Sequence, residues 1–451
     1  MQAPSSRPMI QINAFLTAYD PSDLPGSSID PLGFERGYLL LADKILPGLT
    51  NVANRPRYFG VLCAGVMLAE IPGNATPRQL YHARLESVQR LERLWALANI
   101  LATQQKGEAE LPTTGIRGLR YARRKHAELE LRRATSCDAN FQLLIRQIPY
   151  GIIGIYGAIG ERLRFLFDRK TLELTPDLGE KLGEAFARET DMPGEVRDAV
   201  RRNRPVGLSV LQEWGKRAHV SGDYGSVEAE CLQAALDWNP TRSRMAELLN
   251  DHPRQPEETE LDRLERIEDA LGPDPADRPL LESLRAATRF ERGYAPTLLA
   301  FERLLWLCRQ QAGVPLDDAA RDRTMTKVRK ALPALVRQLH EAVEDANTAH
   351  FCSDMDRLAD VLNFLRELAA AHDEPEAFVR LVLKRHTDVQ KGKFDNGRRK
   401  APWIELRGDV LSLTSTRIGG AQDEITDPAM IVPHFYRTNA ADALTFAGAT
   451  A

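Results

Sequence analysis

Apolar residues recur at helical spacing over most of the chain. The clearest case begins at Asn74, where Thr76 and Gln79 form a capping box and Pro77 takes the first helical position. Apolar side chains then follow every three or four residues, separated by arginines and glutamates, which is typical of an amphipathic helix. Four later stretches, beginning at residues 258, 297, 320 and 353, repeat the pattern, and Pro333 should kink or break one of them. The periodicity predicts a mainly α protein.

The segment from Ile45 to Gly65 predicts a buried helix. Pro47 and Gly48 form a turn, and Pro56 suits the first turn of a helix from about residue 55 to 70. The expected buried face and the small residues that let another helix approach are Tyr58, Phe59, Leu62, Val66 and Ala69, with Gly60 and Ala64. We expect Arg57 to be structural, held by a carboxylate or by helix-end carbonyls, so that Arg57→Ala lowers stability more than binding.

Residues 137–190 depart from the plain helical pattern. We expect a helix, a glycine-punctuated turn region, a second helix, a strand-like stretch, and a Leu-Thr-Pro turn at Leu174–Pro176 that begins the next helix. This order resembles that of winged-helix modules. Glycine recurs every third residue from Gly151 to Gly160, which favours close helix packing or a turn, because neither phosphate-loop spacing is present.

Changes of composition divide the chain into four regions. We predict an N-terminal helical lobe (1–137), a winged-helix-like segment (138–205), a helical middle region with an acidic surface (206–375), and a basic C-terminal region (376–451) with a mobile tail. In the last region, residues 401–415 predict two short strands joined by Arg407, Gly408 and Asp409. The fold class expected is a mainly α, multi-lobed helical protein with a winged-helix-like segment and a small β-containing C-terminal region.

The composition indicates the cellular location and the possible partners of the protein more clearly than it indicates a reaction. The 451 residues carry a formal net charge of only −3, so any nucleic-acid contact must come from local patches. The five cysteines form no C-x-x-C pair, as expected for reduced thiols of a cytosolic protein. The N-terminus lacks the pattern of a secretory signal, and the most apolar run is about half the length of a membrane span. We therefore expect a cytoplasmic protein without a membrane partner.

No catalytic or metal-binding motif is evident. His340 and Glu341 begin an H-E-x-x sequence that lacks its second histidine, and the D-x-K sequence at Asp168 lacks an acidic residue on a preceding strand. No G-x-S-x-G elbow occurs. The sequence thus predicts no catalytic residue, no metal ligand and no cofactor, although a catalytic site assembled from distant residues stays open as an alternative.

Two basic patches are the candidate binding sites. The first, residues 117–133, has seven Lys/Arg against two glutamates, and on a helix Arg117, Arg120 and Arg124 share roughly one face suited to phosphates. The second, residues 384–403, has seven Lys/Arg against two acids and interleaved aromatics. Its expected phosphate contacts and stacking residues are Lys391, Lys393, Arg398, Arg399 and Lys400, with Phe394 and Trp403. Alternatively, both patches are ordinary solvated faces that balance the acidic middle region.

Three parts of the sequence resemble parts of a known protein family. They are Pro47–Phe59, the tyrosine-glycine and Leu-Thr-Pro segment of residues 150–182, and the terminal segments 385–406 and 432–444. Together they resemble an uncharacterised, mostly helical bacterial protein family encoded near restriction and phage-defence genes. The resemblance implies a defence setting and no particular reaction.

These observations favour a non-enzymatic, DNA-associated or complex-forming subunit of a bacterial antiphage defence system. Its expected partners are DNA and other subunits of that system. Two alternatives remain open at this point: a protein-interaction scaffold without nucleic-acid binding, and a nuclease-like enzyme whose site is assembled from distant residues.

Overall fold

A computed structural model describes residues 30–50, 53–103, 115–256, 258–272, 274–345, 355–395 and 398–414. The predicted tail and the terminal segment at 432–444 lie outside these ranges. The described residues form two compact units, which we call the N-terminal unit (42–274) and the C-terminal unit (30–41 with 275–414). The protein is mainly helical, as the periodicity predicts, and none of the described helices is long and apolar enough to span a bilayer.

The N-terminal unit is built almost entirely of helices. After α1 (Glu35–Ile45), whose last residues belong to this unit, its helices are α2 (Arg57–Met67), α3 (Pro77–Thr103), α4 (Leu119–Leu131), α5 (Gln147–Tyr150), α6 (Ile152–Arg162), α7 (Lys181–Glu189), α8 (Gly194–Arg202), α9 (Leu208–Arg217), α10 (Ser226–Asp237), α11 (Pro240–Asp251) and α12 (Glu260–Ala270). Two antiparallel strand pairs complete it: β1 (Ser136–Cys137) with β4 (Val206–Gly207), and β2 (Leu166–Asp168) with β3 (Glu173–Leu174).

Helix α2 is the centre of this unit, because every residue from Arg57 to Val66 is buried. Small residues let its neighbours approach closely. A Cβ added at Gly60 would lie 2.9 Å from Phe186 on α7, and one added at Gly183 would lie 3.0 Å from the Ala64 nitrogen. The predicted close approach at Gly60 and Ala64 is confirmed, and the approaching helix is α7.

Aromatic rings pack around α2. The Tyr58 ring lies 4.7 Å from that of Trp95 on α3 and 4.8 Å from that of Tyr156 on α6, measured between centroids. The Tyr58 hydroxyl donates to the Gly115 carbonyl at 3.2 Å and accepts from the Arg117 amide at 2.6 Å. Because both hydrogen-bonding capacities of the buried hydroxyl are used, Tyr58 ties α2 to the segment that leads into α4.

The glycine-rich segment forms the helix α6, so its interpretation as a turn region is wrong, and the prediction of close helix packing is not confirmed at Gly157, where an added Cβ would meet no atom within 4 Å. Helix α6 begins where the Ile152 amide donates to Glu92 Oε1 at 2.8 Å, a cap supplied by a distant carboxylate that the local sequence does not reveal. A Cβ at Gly160 would lie 3.6 Å from Leu62 of α2, an ordinary contact. Of the first helix expected in this segment, only α5 forms, and residues 138–146 form a loop.

The elements that follow α6 agree with the sequence. The β2–β3 hairpin is followed by one π-helical turn, Pro176–Glu180, which runs into α7. Thr175 Oγ1 accepts from the Gly179 amide at 3.0 Å and so caps this turn, with Pro176 at the first helical position. The predicted Leu-Thr-Pro turn therefore starts the next helix.

The C-terminal unit contains α13 (Arg278–Gln310), α14 (Leu316–Arg321), α15 (Arg323–Asp345), α16 (Met355–Ala370) and α17 (Pro375–Lys391). Its strands are β5 (Val314–Pro315), β6 (Phe394–Asp395), β7 (Arg398–Arg399), β8 (Ile404–Arg407) and β9 (Val410–Leu413). Strands β8 and β9 pair antiparallel across Gly408, with β5 on the far side of β9, which confirms the predicted strand pair. Helix α15 continues through Pro333 without a break.

Candidate nucleic-acid interface

Helix α4 is held against the loop of residues 138–146. Gly118, just before the helix, has φ +71°, and a Cβ there would come within 2.5 Å of the Leu143 carbonyl oxygen. Only glycine tolerates both the left-handed backbone and this approach. Ala122, His126 and Leu129 form the buried side of α4, so its opposite side faces solvent.

Helix α4 presents two exposed arginines that form no salt bridge with a described carboxylate. Arg120 and Arg124 are exposed one turn apart, and neither forms a salt bridge within the described part of the chain. The two glutamates of the helix lie in its last turns. There Glu128 contacts Lys125 at 3.4 Å and Arg132 at 3.0 Å. The positive potential of α4 is therefore concentrated at its N-terminal half.

Arg117 does not share this exposed face, because it precedes the helix and is half-buried. Its Nη1 donates to the Tyr150 carbonyl at 3.3 Å, and its guanidinium lies 5.8 Å from the centroid of the Tyr156 ring. Arg117 thus joins α4 to the aromatic cluster around α2. Of the three residues predicted in this patch, Arg120 and Arg124 are the ones placed to meet a ligand in solution.

An open cleft of about 790 Å³ lies beside α4. It is bounded by Gln89 and Arg93 of α3 and by the loop that follows β1, and none of the residues that line it is acidic. Lys125 Nζ lies 5.9 Å from the centroid of Phe141, which lines the cleft and so links it to α4. Ile145 and Ile148 are 57% and 47% exposed there, so the cleft has apolar side chains that are open to solvent.

The wall of the cleft is held by a partly buried hydrogen-bond network around the buried Glu92. Arg93 Nε donates to Gln147 Oε1 at 2.8 Å, and Gln147 Nε2 donates to Glu92 Oε2 at 2.7 Å. Glu92 also accepts from the Ile152 amide at the start of α6. Burial raises the pKa of Glu92 to about 7, although these hydrogen bonds and the nearby Arg117 and Arg93 oppose the shift. Arg93, Gln147 and Glu92 therefore hold one another in place.

Some residues of the second basic patch make contacts within the C-terminal unit. Lys393 Nζ donates to the Asp30 carbonyl, and the Trp403 ring packs against Phe301 and His386 at centroid distances of 5.9 and 5.3 Å. The Trp403 amide donates to His386 Nε2 at 2.8 Å, so His386 Nδ1 carries the proton and donates to the Pro31 carbonyl. Trp403 is thus a packing residue of the unit.

The other residues predicted in this patch are distributed over its surface and strands. Lys391 and Arg399 are exposed, and Lys400 is half-buried, with its amide donating to the Lys393 carbonyl at 3.0 Å. Phe394 and Arg398 lie in the paired strands β6 and β7, and their side chains lie outside the described structure. Lys384, Lys391 and Arg399 are therefore the exposed cations of this patch among the side chains that the structure describes, and they are spread over a helix and a strand.

A buried charged cluster at Arg57 is closed to ligands. Arg57 Nη1 contacts Glu228 Oε2 at 3.0 Å, and Nη2 donates to the Gly222 carbonyl at 3.0 Å and to the Asp223 carbonyl. The Tyr224 ring lies 4.3 Å from its guanidinium carbon. The prediction that a carboxylate or helix-end carbonyls hold Arg57 is confirmed. Because Arg57 is 1% exposed, we assign the cluster to stability.

The cleft residues Arg93, Phe141, Ile145 and Arg146 carry no signal of a site in the sequence pattern. Residues 141–148 contain a run of apolar residues that looks helical, but Ile145 lies in the loop and Ile148 in the short helix α5, and both side chains are exposed. Among the described residues, no group of three or more His, Cys, Asp or Glu side chains is arranged to hold a metal ion. Comparisons of the chain with protein-family models, curated proteins and solved structures found no match.

Proposed function

We propose that this protein is a non-catalytic subunit that binds DNA through the phosphate backbone, with α4 as the contact helix. Following the resemblance stated above, we place this subunit in a bacterial antiphage defence system. The supporting observation is the exposed pair Arg120 and Arg124 of α4, which forms no salt bridge with a carboxylate among the described residues. The remaining charges of α4 and the bounding cleft extend the same surface.

The arrangement suits phosphate contacts rather than base reading. Arg120 and Arg124 are four residues apart, so their side chains leave one face of the helix within about 6 Å of each other. Guanidinium groups at this separation can each neutralise a neighbouring phosphate and release its counterions. Binding of this kind depends on the number of charges and is largely independent of sequence.

The test compares two matched double variants. Arg120→Ala/Arg124→Ala removes the exposed pair of α4, and Arg197→Ala/Arg201→Ala removes an exposed pair at the same spacing on α8. On α8 the arginines alternate with Glu195 and Asp198, so its local field is weaker. For a 20-base-pair duplex in 50 mM salt, fluorescence anisotropy should show about tenfold weaker binding, or more, for the α4 variant. Equal affinities of the two variants would contradict the role of α4.

A second role, as a partner-binding subunit, has support from two exposed aromatics of the N-terminal unit. Phe167 is 73% and Trp238 is 60% exposed, and the Arg164 guanidinium carbon lies 3.7 Å from the centroid of the Trp238 ring, which holds that ring in place. Large exposed aromatics are enriched at protein interfaces. Co-purification of products of neighbouring genes with the wild type, and their loss with Trp238→Ala, would support this role. Retention of the same partners by the variant would exclude Trp238 from it.

A further inference from the structure

We propose that the cleft beside α4 binds an unpaired nucleotide, so that the protein prefers DNA with a single-stranded segment next to a duplex. This inference rests on the proposed function, because α4 would hold the phosphates of the adjoining duplex. The cleft volume of about 790 Å³ is that of a small-molecule site.

The lining has groups for both the faces and the edges of an unpaired base. Phe141, Ile145 and Ile148 provide aromatic and apolar surface for the base faces. Gln89, Asn140 and Gln142 carry side-chain amides, which pair with base edges through their donors and acceptors. Gln147 is already engaged with Arg93 and Glu92, so it shapes the wall.

The positive charge of the cleft favours a nucleic acid, which is an anion, over an uncharged apolar ligand. Arg93 and Arg146 line it, Arg146 is exposed, and no carboxylate is among the lining residues. The nearby Glu92 carboxylate is buried, and its two oxygens accept hydrogen bonds from Gln147 and Ile152. A nucleotide in the cleft would therefore place its phosphate near cations.

The position of Phe141 joins the cleft to the phosphate-binding helix. Lys125 of α4 lies 5.9 Å from the ring centroid, within the range of a cation–π contact. A base that stacks on Phe141 would thus have its backbone beside α4. A strand of nucleic acid carries a phosphate beside every base, so it needs a stacking site that lies next to a basic surface. A peptide does not need these two features side by side.

Three probes test the inference on the full chain. They share one 20-base-pair duplex: the first is blunt, the second has a ten-nucleotide thymidine overhang, and the third has an abasic overhang of equal length and charge. Since base–aromatic stacking contributes about 1–3 kcal/mol per base, the thymidine overhang should bind at least about fivefold more tightly than the abasic overhang. The abasic probe isolates the bases, because both overhangs carry the same number of phosphates.

Variants of Phe141 locate the effect. Phe141→Ala should bring the affinities for the two overhangs to within about twofold of each other, and Phe141→Trp should retain the preference. Equal binding of both overhangs by the wild type would overturn the inference while leaving the role of α4 intact, provided that the blunt duplex binds. Binding of none of the probes would overturn both proposals. The wild-type comparison needs no variant, so an unfolded Phe141→Ala protein would not remove the test.

Discussion

Replacement of Arg57 by alanine should destabilise the N-terminal unit strongly. The substitution leaves the Glu228 carboxylate, whose side chain is fully buried, without its cation, and it leaves the Gly222 and Asp223 carbonyls without their donor. Removing one partner of a buried ion pair costs about 3–5 kcal/mol, mainly through the remaining uncompensated charge. We expect the free energy of unfolding to fall by that amount at pH 8.

The loss should depend on pH in a defined direction. Burial raises the pKa of Glu228 to about 7, and Arg57 holds it below the value it would otherwise have. Without Arg57 this pKa rises further, so the folded variant binds a proton that the unfolded chain releases above its ordinary pKa near 4.5. The stability of the variant should therefore fall more steeply than that of the wild type as the pH rises, and the loss at pH 5 should be smaller than at pH 8.

Urea unfolding followed by tryptophan fluorescence measures both effects, since Trp95 and Trp214 are fully buried in this unit. Glu228→Gln and the Arg57→Ala/Glu228→Gln double variant complete a double-mutant cycle. The double variant should be less destabilised than the sum of the single variants, because it contains no unpaired buried charge. A loss below about 1 kcal/mol for Arg57→Ala at pH 8, or additive single effects, would refute this reasoning.

Three further predictions concern separate parts of the structure. The raised pKa of Glu92 lowers the stability of the wild type as the pH rises from about 4.5 to 7, and Glu92→Gln should remove this dependence. The difference in unfolding free energy between the two proteins should therefore change by about 3 kcal/mol from pH 4 to pH 8. A difference that does not depend on pH would show that Glu92 does not titrate in this way. Gly183→Ala should lower the melting temperature, since its Cβ would lie 2.9 Å from the Cys63 carbonyl carbon, and an unchanged melting temperature would show that α7 shifts freely. Trp403→Ala should destabilise the C-terminal unit by about 1–3 kcal/mol in urea unfolding, because the half-buried ring packs against Phe301 and His386, and it should not weaken duplex binding by the folded protein. A loss of affinity without a loss of stability would instead support the prediction that Trp403 stacks on bases.

Local chemistry in the sequence predicted much of the helical architecture. The capping box of α3 forms, with the Thr76 amide donating to Gln79 Oε1 at 2.8 Å, and Pro77 is the first residue of the helix. Arg57 is held in the way its apolar surroundings suggested. These features depend on a few neighbouring residues, or on the general requirement that a buried cation has a partner.

The features that the sequence did not reveal depend on contacts between distant residues. Helix α6 begins at a cap supplied by Glu92, which lies 60 residues earlier in the chain. Trp403, predicted as a stacking residue, is drawn into packing by His386 and Phe301. The cleft is lined by residues of α3 and by the loop that contains Leu143, against which Gly118 lies closely. The spacing of apolar residues along one helix or strand does not reveal such contacts, because each of them joins elements that are far apart in the sequence.

The most direct test of DNA binding by α4 is the salt dependence of duplex affinity. The logarithm of the association constant of the wild type should fall linearly with the logarithm of salt concentration. If Arg120 and Arg124 each neutralise one phosphate, the double alanine variant should have a slope smaller by about 1.8. Between 50 and 200 mM salt, wild-type affinity should then fall about 12-fold more than that of the variant. A flat salt response of the wild type, or equal slopes for the two proteins, would contradict the account.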